Sequence, residues 1–176
     1  MKNVIILALL FSSAVSVTVA QETATPAPVS SNSILVYVEG GKKMSLKAAD
    51  LAKLPRKEIR AKDHDGKDVS YSGVELREVL KLVDAPFGDQ LRGKAIGLYL
   101  LVWAADDYKA TFARAELDNT FTDKIVILAD TENGKALDAK NGPWQIIVPD
   151  EKKHARWVRQ VVALWVTEGR SPVKVF

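Results

Sequence analysis

The sequence predicts an α+β domain built on a mixed β-sheet with short helices. Three observations carry this. Strand-like and helix-like segments follow one another without a strict strand–helix–strand rhythm, which argues against a doubly wound sheet. Several strand-like segments are joined by tight polar turns, as at 63–67 and 105–107. The strongest apolar run of the folded part, 95–104 (AIGLYLLVWA), mixes aromatic and β-branched residues as a buried central strand does.

The elements follow in order. Residues 34–38 form a short apolar strand, turned by Gly40-Gly41. Residues 45–51 read as a helix with Ser45 as N-cap and Leu46, Leu51 and Leu54 as its apolar face, ended by Pro55. Residues 57–61 and 69–71 form the arms of a hairpin around the polar turn 63–67. The spacing of Val74, Leu76, Val79, Leu80, Leu82 and Val83 predicts an amphipathic helix over 74–83, stopped at Ala85-Pro86. The strand 95–104 turns at 105–107 and pairs with 108–113. A short helix over 113–117 and a buried strand over 125–129 come next. Turns at 132–135 and 141–143 precede a strand over 144–148, a charged loop over 150–154 and a closing strand over 156–166.

The N-terminus reads as an export signal. Met1-Lys2 gives a basic start, an apolar run covers 4–11, and Thr18-Val19-Ala20 fits cleavage before Gln21. The run is shorter than the roughly 20 residues a membrane span needs, so no anchor is expected in the mature chain, whose location is periplasmic or secreted. Removing 20 of 176 residues leaves 156 (176 − 20). Residues 21–33 are rich in Pro, Ala, Ser and Thr and read as a flexible tether, and 34–176 as one globular domain. With 25 basic and 22 acidic side chains and no basic patch, nucleic acid is not an expected partner. The chain has no cysteine. Disulfides, a thiolate nucleophile, an iron–sulfur cluster and a thiolate-held metal are therefore excluded.

Three stretches carry a family likeness. The first is Tyr71-Ser72-Gly73-Val74-Glu75-Leu76 through Leu80. The second is Ala104-Ala105-Asp106-Asp107-Tyr108. The third runs from Leu128-Ala129-Asp130 through Gly134-Lys135-Ala136-Leu137 and Gly142-Pro143-Trp144 to Pro149, ending on Ala155-Arg156-Trp157-Val158-Arg159. In order and spacing they resemble the molybdopterin-binding domain of the sulfite-oxidase-type oxidoreductases, with Asp107 where glycine is usual. The resemblance implies that fold and makes a molybdopterin cofactor possible. It also implies a cysteine that ligates molybdenum, on a loop before the first motif. Here that interval is the short turn within 60–70, and the cysteine is missing.

Asp63, His64 and Asp65 are the right types for zinc, copper or manganese. Neighbours in one turn seldom converge on an ion, and the other histidine, His154, is distant in sequence, so no metal site is expected. Lys153, His154, Arg156 and Arg159 form the best candidate for cofactor or anion binding, because Arg and Lys suit oxyanions. On a strand, Arg156 and Arg159 would face opposite sides. Ser70 or Ser72 offers oxygen where the resemblance implies sulfur. Tyr99, Trp103, Tyr108, Trp144, Trp157 and Trp165 read mainly as core and strand-pair residues. Asp106, Asp107 and Asp130 are candidates to cap turns or to pair with Arg156 or Arg159. No catalytic residue can be named. The expected function is an exported, non-catalytic domain that binds a small anionic ligand or an exported or membrane redox partner, with no cofactor. The alternative is a molybdopterin-dependent oxidoreductase with a cysteine-less site.

Overall fold

A computed structural model describes residues 32–169. The expected signal segment and most of the expected tether lie outside these residues. Ser33, assigned to the tether, already begins a strand.

Among the described residues, ten strands form two five-stranded sheets. The first sheet contains β1 (Ser33–Val38), β2 (Lys43–Lys47), β5 (Leu98–Ala104), β6 (Lys109–Ala113) and β10 (Val161–Glu168), in the order β2-β1-β10-β5-β6. Only β1 and β10 run parallel, so this sheet is mixed. The second contains β3 (Arg56–Lys62), β4 (Asp68–Glu75), β7 (Ile127–Glu132), β8 (Lys135–Ala136) and β9 (Gln145–Ile147). It is antiparallel, in the order β3-β4-β7, and the far edge of β7 is shared between β8 and β9.

Period-two alternation places Ile34, Val36, Leu100, Val102, Phe112, Leu164 and Val166 on the buried face of the first sheet. They join Val74, Ile127, Ile146 and Ile147 of the second sheet in one core. Helix α2 (Leu76–Lys81) buries Leu76, Val79 and Leu80 against it. Burying each such side chain contributes about 1.5–3 kcal/mol before chain entropy is counted.

Four expectations are corrected. Residues 43–47 are a strand, because the edge of β1 offers them a ladder from Ser33↔Lys47 to Tyr37↔Lys43. Ser45 caps nothing, and α1 (Ala48–Leu51) starts after Lys47, whose N–H bonds the Asp50 carboxylate at 3.1 Å. Residues 72–75 continue β4, because pairing with β7 runs to Glu75↔Ile127, so α2 starts at Leu76 and not Val74. Residues 93–97 form a 3₁₀ turn, so the central strand is shorter than its apolar run. The closing strand starts at Val161. Residues 154–156 form a 3₁₀ turn, and Gln160 sits at φ 48°, a left-handed value that interrupts an extended path. Gln160 is held there by bonds from its N–H to Asn141 O at 3.0 Å, from Ala105 N–H to its own O at 3.0 Å, and from its amide to Ala139 O at 2.8 Å.

Asp107, where the resemblance implies glycine, has φ 70°. Aspartate is among the few residues with a side chain that tolerate this region. Its carboxylate holds Lys109 at 2.8 Å.

Candidate functional site

The turn after β3 closes on its own first residue. Asp63 accepts the N–H groups of Asp65 at 2.8 Å and Lys67 at 2.9 Å, and bonds from Asp63 N–H to Lys67 O and from Gly66 N–H to Asp63 O complete the turn. His64 is thereby presented at the tip. The chain after β9 brings the second histidine. Trp157 is buried, and its indole N–H bonds Val148 O at 3.0 Å. His154 stacks on Trp157 with ring centroids 3.9 Å apart. The ring of Tyr71 meets Trp157 edge-on at 5.6 Å. His64 and His154 then meet edge to face, with centroids 4.7 Å apart.

Three adjoining cavities share His64. The main cleft, about 480 Å³, is lined by His64, His154, Lys140, Arg159, Asp106 and Tyr108 among others. Tyr108 donates its hydroxyl to Ala155 O at 2.7 Å, which fixes the rim. A second space of about 590 Å³ opens beside Lys62, Lys152 and Lys153. A third of about 200 Å³ reaches Tyr71, Trp157 and Gln145. The side-chain amide oxygen of Gln145 (Oε1) is buried with no hydrogen-bond partner among the described residues. Lys140 and Arg159 are exposed, and neither makes an ion pair with a described residue.

Burial, and then the adjacent His64, push the His154 imidazole below its ordinary pKa, against the opposing pull of Asp63 and Glu151. Tyr71 is pushed up to about 12, first by burial and then by the charges of Glu132 and Asp63. His154 is therefore neutral at neutral pH, and Tyr71 keeps its proton throughout the physiological range.

Of the four predicted anion-binding residues, His154 and Arg159 line the main cleft, and Lys153 lines its neighbour. Arg156 lines none of these three cavities and is engaged by carboxylates. Its guanidinium grips Glu116 in a fork at 2.9 and 3.1 Å and bonds Glu151 through Nε at 2.7 Å and also through Nη2. It also lies over the Phe112 ring at 4.3 Å. Burial raises the Glu116 pKa, but hydrogen bonds from Arg156 and Lys124 outweigh it, and the carboxyl ends below its ordinary value. The stability this supplies is present at neutral pH and is lost as pH falls through that lowered value.

Among the described residues, no group of three or more His, Asp or Glu is arranged to hold a metal ion. Asp63 serves its own turn, and Asp65 pairs with Lys67 at 3.6 Å. Ser70 donates to Glu58 at 2.5 Å, and Ser72 accepts from Arg56 at 3.2 Å. Asp130 pairs with Arg56 at 2.6 Å, not with Arg156 or Arg159. Asp106 accepts the Tyr108 N–H at 3.0 Å. Of the aromatics, Trp157 and Tyr108 line the cleft, Trp144 is buried, and Trp165 stacks on Tyr37 at 5.4 Å. Trp103 carries Lys109 over its ring at 4.1 Å. The sequence reading missed Lys140, Gln145 and Gln160. Lys140 stands just before the turn signal Asn141-Gly142-Pro143, and nothing in its local pattern separates it from a solvated lysine.

No curated protein matches the chain. The crystal structure of the sulfane dehydrogenase SoxCD from Paracoccus pantotrophus resembles it with a TM-score of 0.59 at 20% identity, over 78% of this chain and 39% of that one. At that identity the likeness bears on fold alone, and this chain spans well under half the length of that neighbour. Residues 23–174 match the oxidoreductase molybdopterin binding domain family. That match covers most of the sequence and agrees with the two-sheet architecture, so the chain belongs to the oxidoreductase molybdopterin binding domain family.

Proposed function

We propose that this chain is an exported, non-catalytic member of the family that binds a small anionic ligand in the cleft between His64, His154, Lys140 and Arg159. A redox-system partner in place of the small ligand is the other form of this reading. One observation carries the reading. Lys140 and Arg159 open into a formed cleft with no carboxylate of a described residue paired to either. Surface cations are common, but two in one concavity with two imidazoles support an anion-binding reading. Asp106 is the one carboxylate lining that cleft, while Asp63, Asp65, Glu132 and Asp138 line the third cavity, which Lys140 and Arg159 also border.

The family's molybdenum is held through a thiolate, and this chain has no cysteine. At the place of the ligand loop stands a turn closed on Asp63, and the hydroxyls of Ser70 and Ser72 are engaged by Glu58 and Arg56. The residues present do not fit the metal. Cationic side chains in the cleft suit an anionic group without it. The alternative, a molybdopterin-dependent oxidoreductase with a cysteine-less site, draws on the family match alone.

The test is a calorimetric titration of the processed chain with sodium sulfate at low ionic strength. Saturable one-to-one binding with a Kd of about 1 mM or tighter is expected, weakening as inert salt rises. A featureless titration at that concentration would count against the reading.

A further inference from the structure

We propose that the cleft takes up a small dianion together with a proton, with His64 and His154 as its titrating half and Lys140 and Arg159 as its fixed half. This rests on the anion-binding reading above and adds what governs it. The geometry points to it first. Two histidines, one from the turn after β3 and one from the 3₁₀ turn at 154–156, touch at 4.7 Å inside one cleft. A neutral imidazole offers one N–H, and an imidazolium offers two along with a charge. Each proton taken up therefore adds both a donor and a cation to the site.

The surrounding charges decide when that happens. Lys140 and Arg159 share the cleft with both rings and supply its fixed positive charge. Lys62, Lys152 and Lys153 line the neighbouring space. Asp63 and Glu151 favour a proton on His154, and most carboxylates near the pair also hold other partners. Asp63 accepts two backbone N–H groups of its own turn, and Asp65 pairs with Lys67. Glu151 is shared between Arg156 and Lys124. Asp106 accepts from Tyr108, and Asp138 from the N–H groups of Lys140 and Asn141. Glu132 lines the third cavity together with His64, Lys140 and Arg159. An imidazolium here has no carboxylate dedicated to it, and burial against Trp157 favours the neutral form of His154. A bound dianion reverses that balance and brings the proton with it.

The experiment is calorimetry of the processed chain with sodium sulfate, whose charge is constant over the range, between about pH 7.5 and about pH 5.5. Ionic strength is held fixed, and two buffers of different ionisation heat are used. Affinity is expected to rise roughly tenfold or more on acidification, within the ceiling of tenfold per pH unit for each proton, and the buffer comparison is expected to show net proton uptake. His64→Gln, at an exposed turn tip, is expected to flatten the pH dependence without unfolding the domain. The double variant His64→Gln/His154→Gln is expected to remove it, with circular dichroism checking the packing on Trp157. A Kd that changes less than about twofold across the range, or a pH dependence that survives in the double variant, overturns the proposal. Flat but Arg159-dependent sulfate binding would sink the proton coupling and leave the anion-binding reading standing. No sulfate binding at any pH would sink both.

Discussion

Gly73→Ala is expected to destabilise the domain by about 3–5 kcal/mol. A Cβ on Gly73 would lie 2.1 Å from the Leu128 carbonyl oxygen, 2.6 Å from the Ala129 Cα and 2.7 Å from the Leu128 carbonyl carbon. All three are backbone atoms of β7, and Gly73 is paired with Ala129 at a register shift in that ladder. A flexible side chain could swing aside, but a ladder strand cannot. β4 is also held by β3 on its other edge, so relief requires breaking one sheet. Gly66→Ala is the control. It has φ 77° and nothing within 4 Å of the added carbon, so only the left-handed penalty of about 1–2 kcal/mol applies. Urea unfolding of both variants checks this. Equal midpoints would show that close strand packing is not what requires glycine at 73.

The double variant Lys140→Gln/Arg159→Gln is expected to weaken sulfate binding by about tenfold per charge removed, so by roughly a hundredfold together. Both side chains are exposed and neither pairs with a described residue, so unfolding is expected to shift by no more than about 0.5 kcal/mol. The measurement is the same titration at neutral pH. A Kd within about twofold of the parent chain would move the ligand out of this cleft.

Much of the fold was legible in the sequence because it rests on side-chain periodicity. The apolar run at 95–104 marked β5, and the polar turn at 63–67 marked the hairpin. The errors arose where a neighbouring strand overrode a local pattern. Leu46 and Leu51 share a helical face on paper, yet the free edge of β1 turns 43–47 into a strand. Gly73 and Val74 looked like a helix start, yet β7 extends the ladder to Glu75. At the end of the chain, no one-dimensional pattern announces that Gln160 adopts a left-handed conformation, and that residue moves Arg156 off the closing strand.

The site was legible only in parts. Lys153, His154 and Arg159 stood out by residue type in a charged stretch. The partnership of His64 with His154 depends on two loops far apart in sequence, and no spacing rule connects them. Arg156 looked as available as Arg159. The difference between them is Glu116, which reaches Arg156 from the turn after β6. Lys140 gave no signal because a lone lysine before a turn is ordinary until the cleft around it is seen.

The most direct measurement is the molybdenum and pterin content of the processed chain, made in a host that synthesises the cofactor and purified without chelators. A non-catalytic anion-binding member of the family predicts both at background, in protein that still binds sulfate. Near-stoichiometric molybdenum and pterin would contradict the account and make this a cofactor protein with a non-thiolate site.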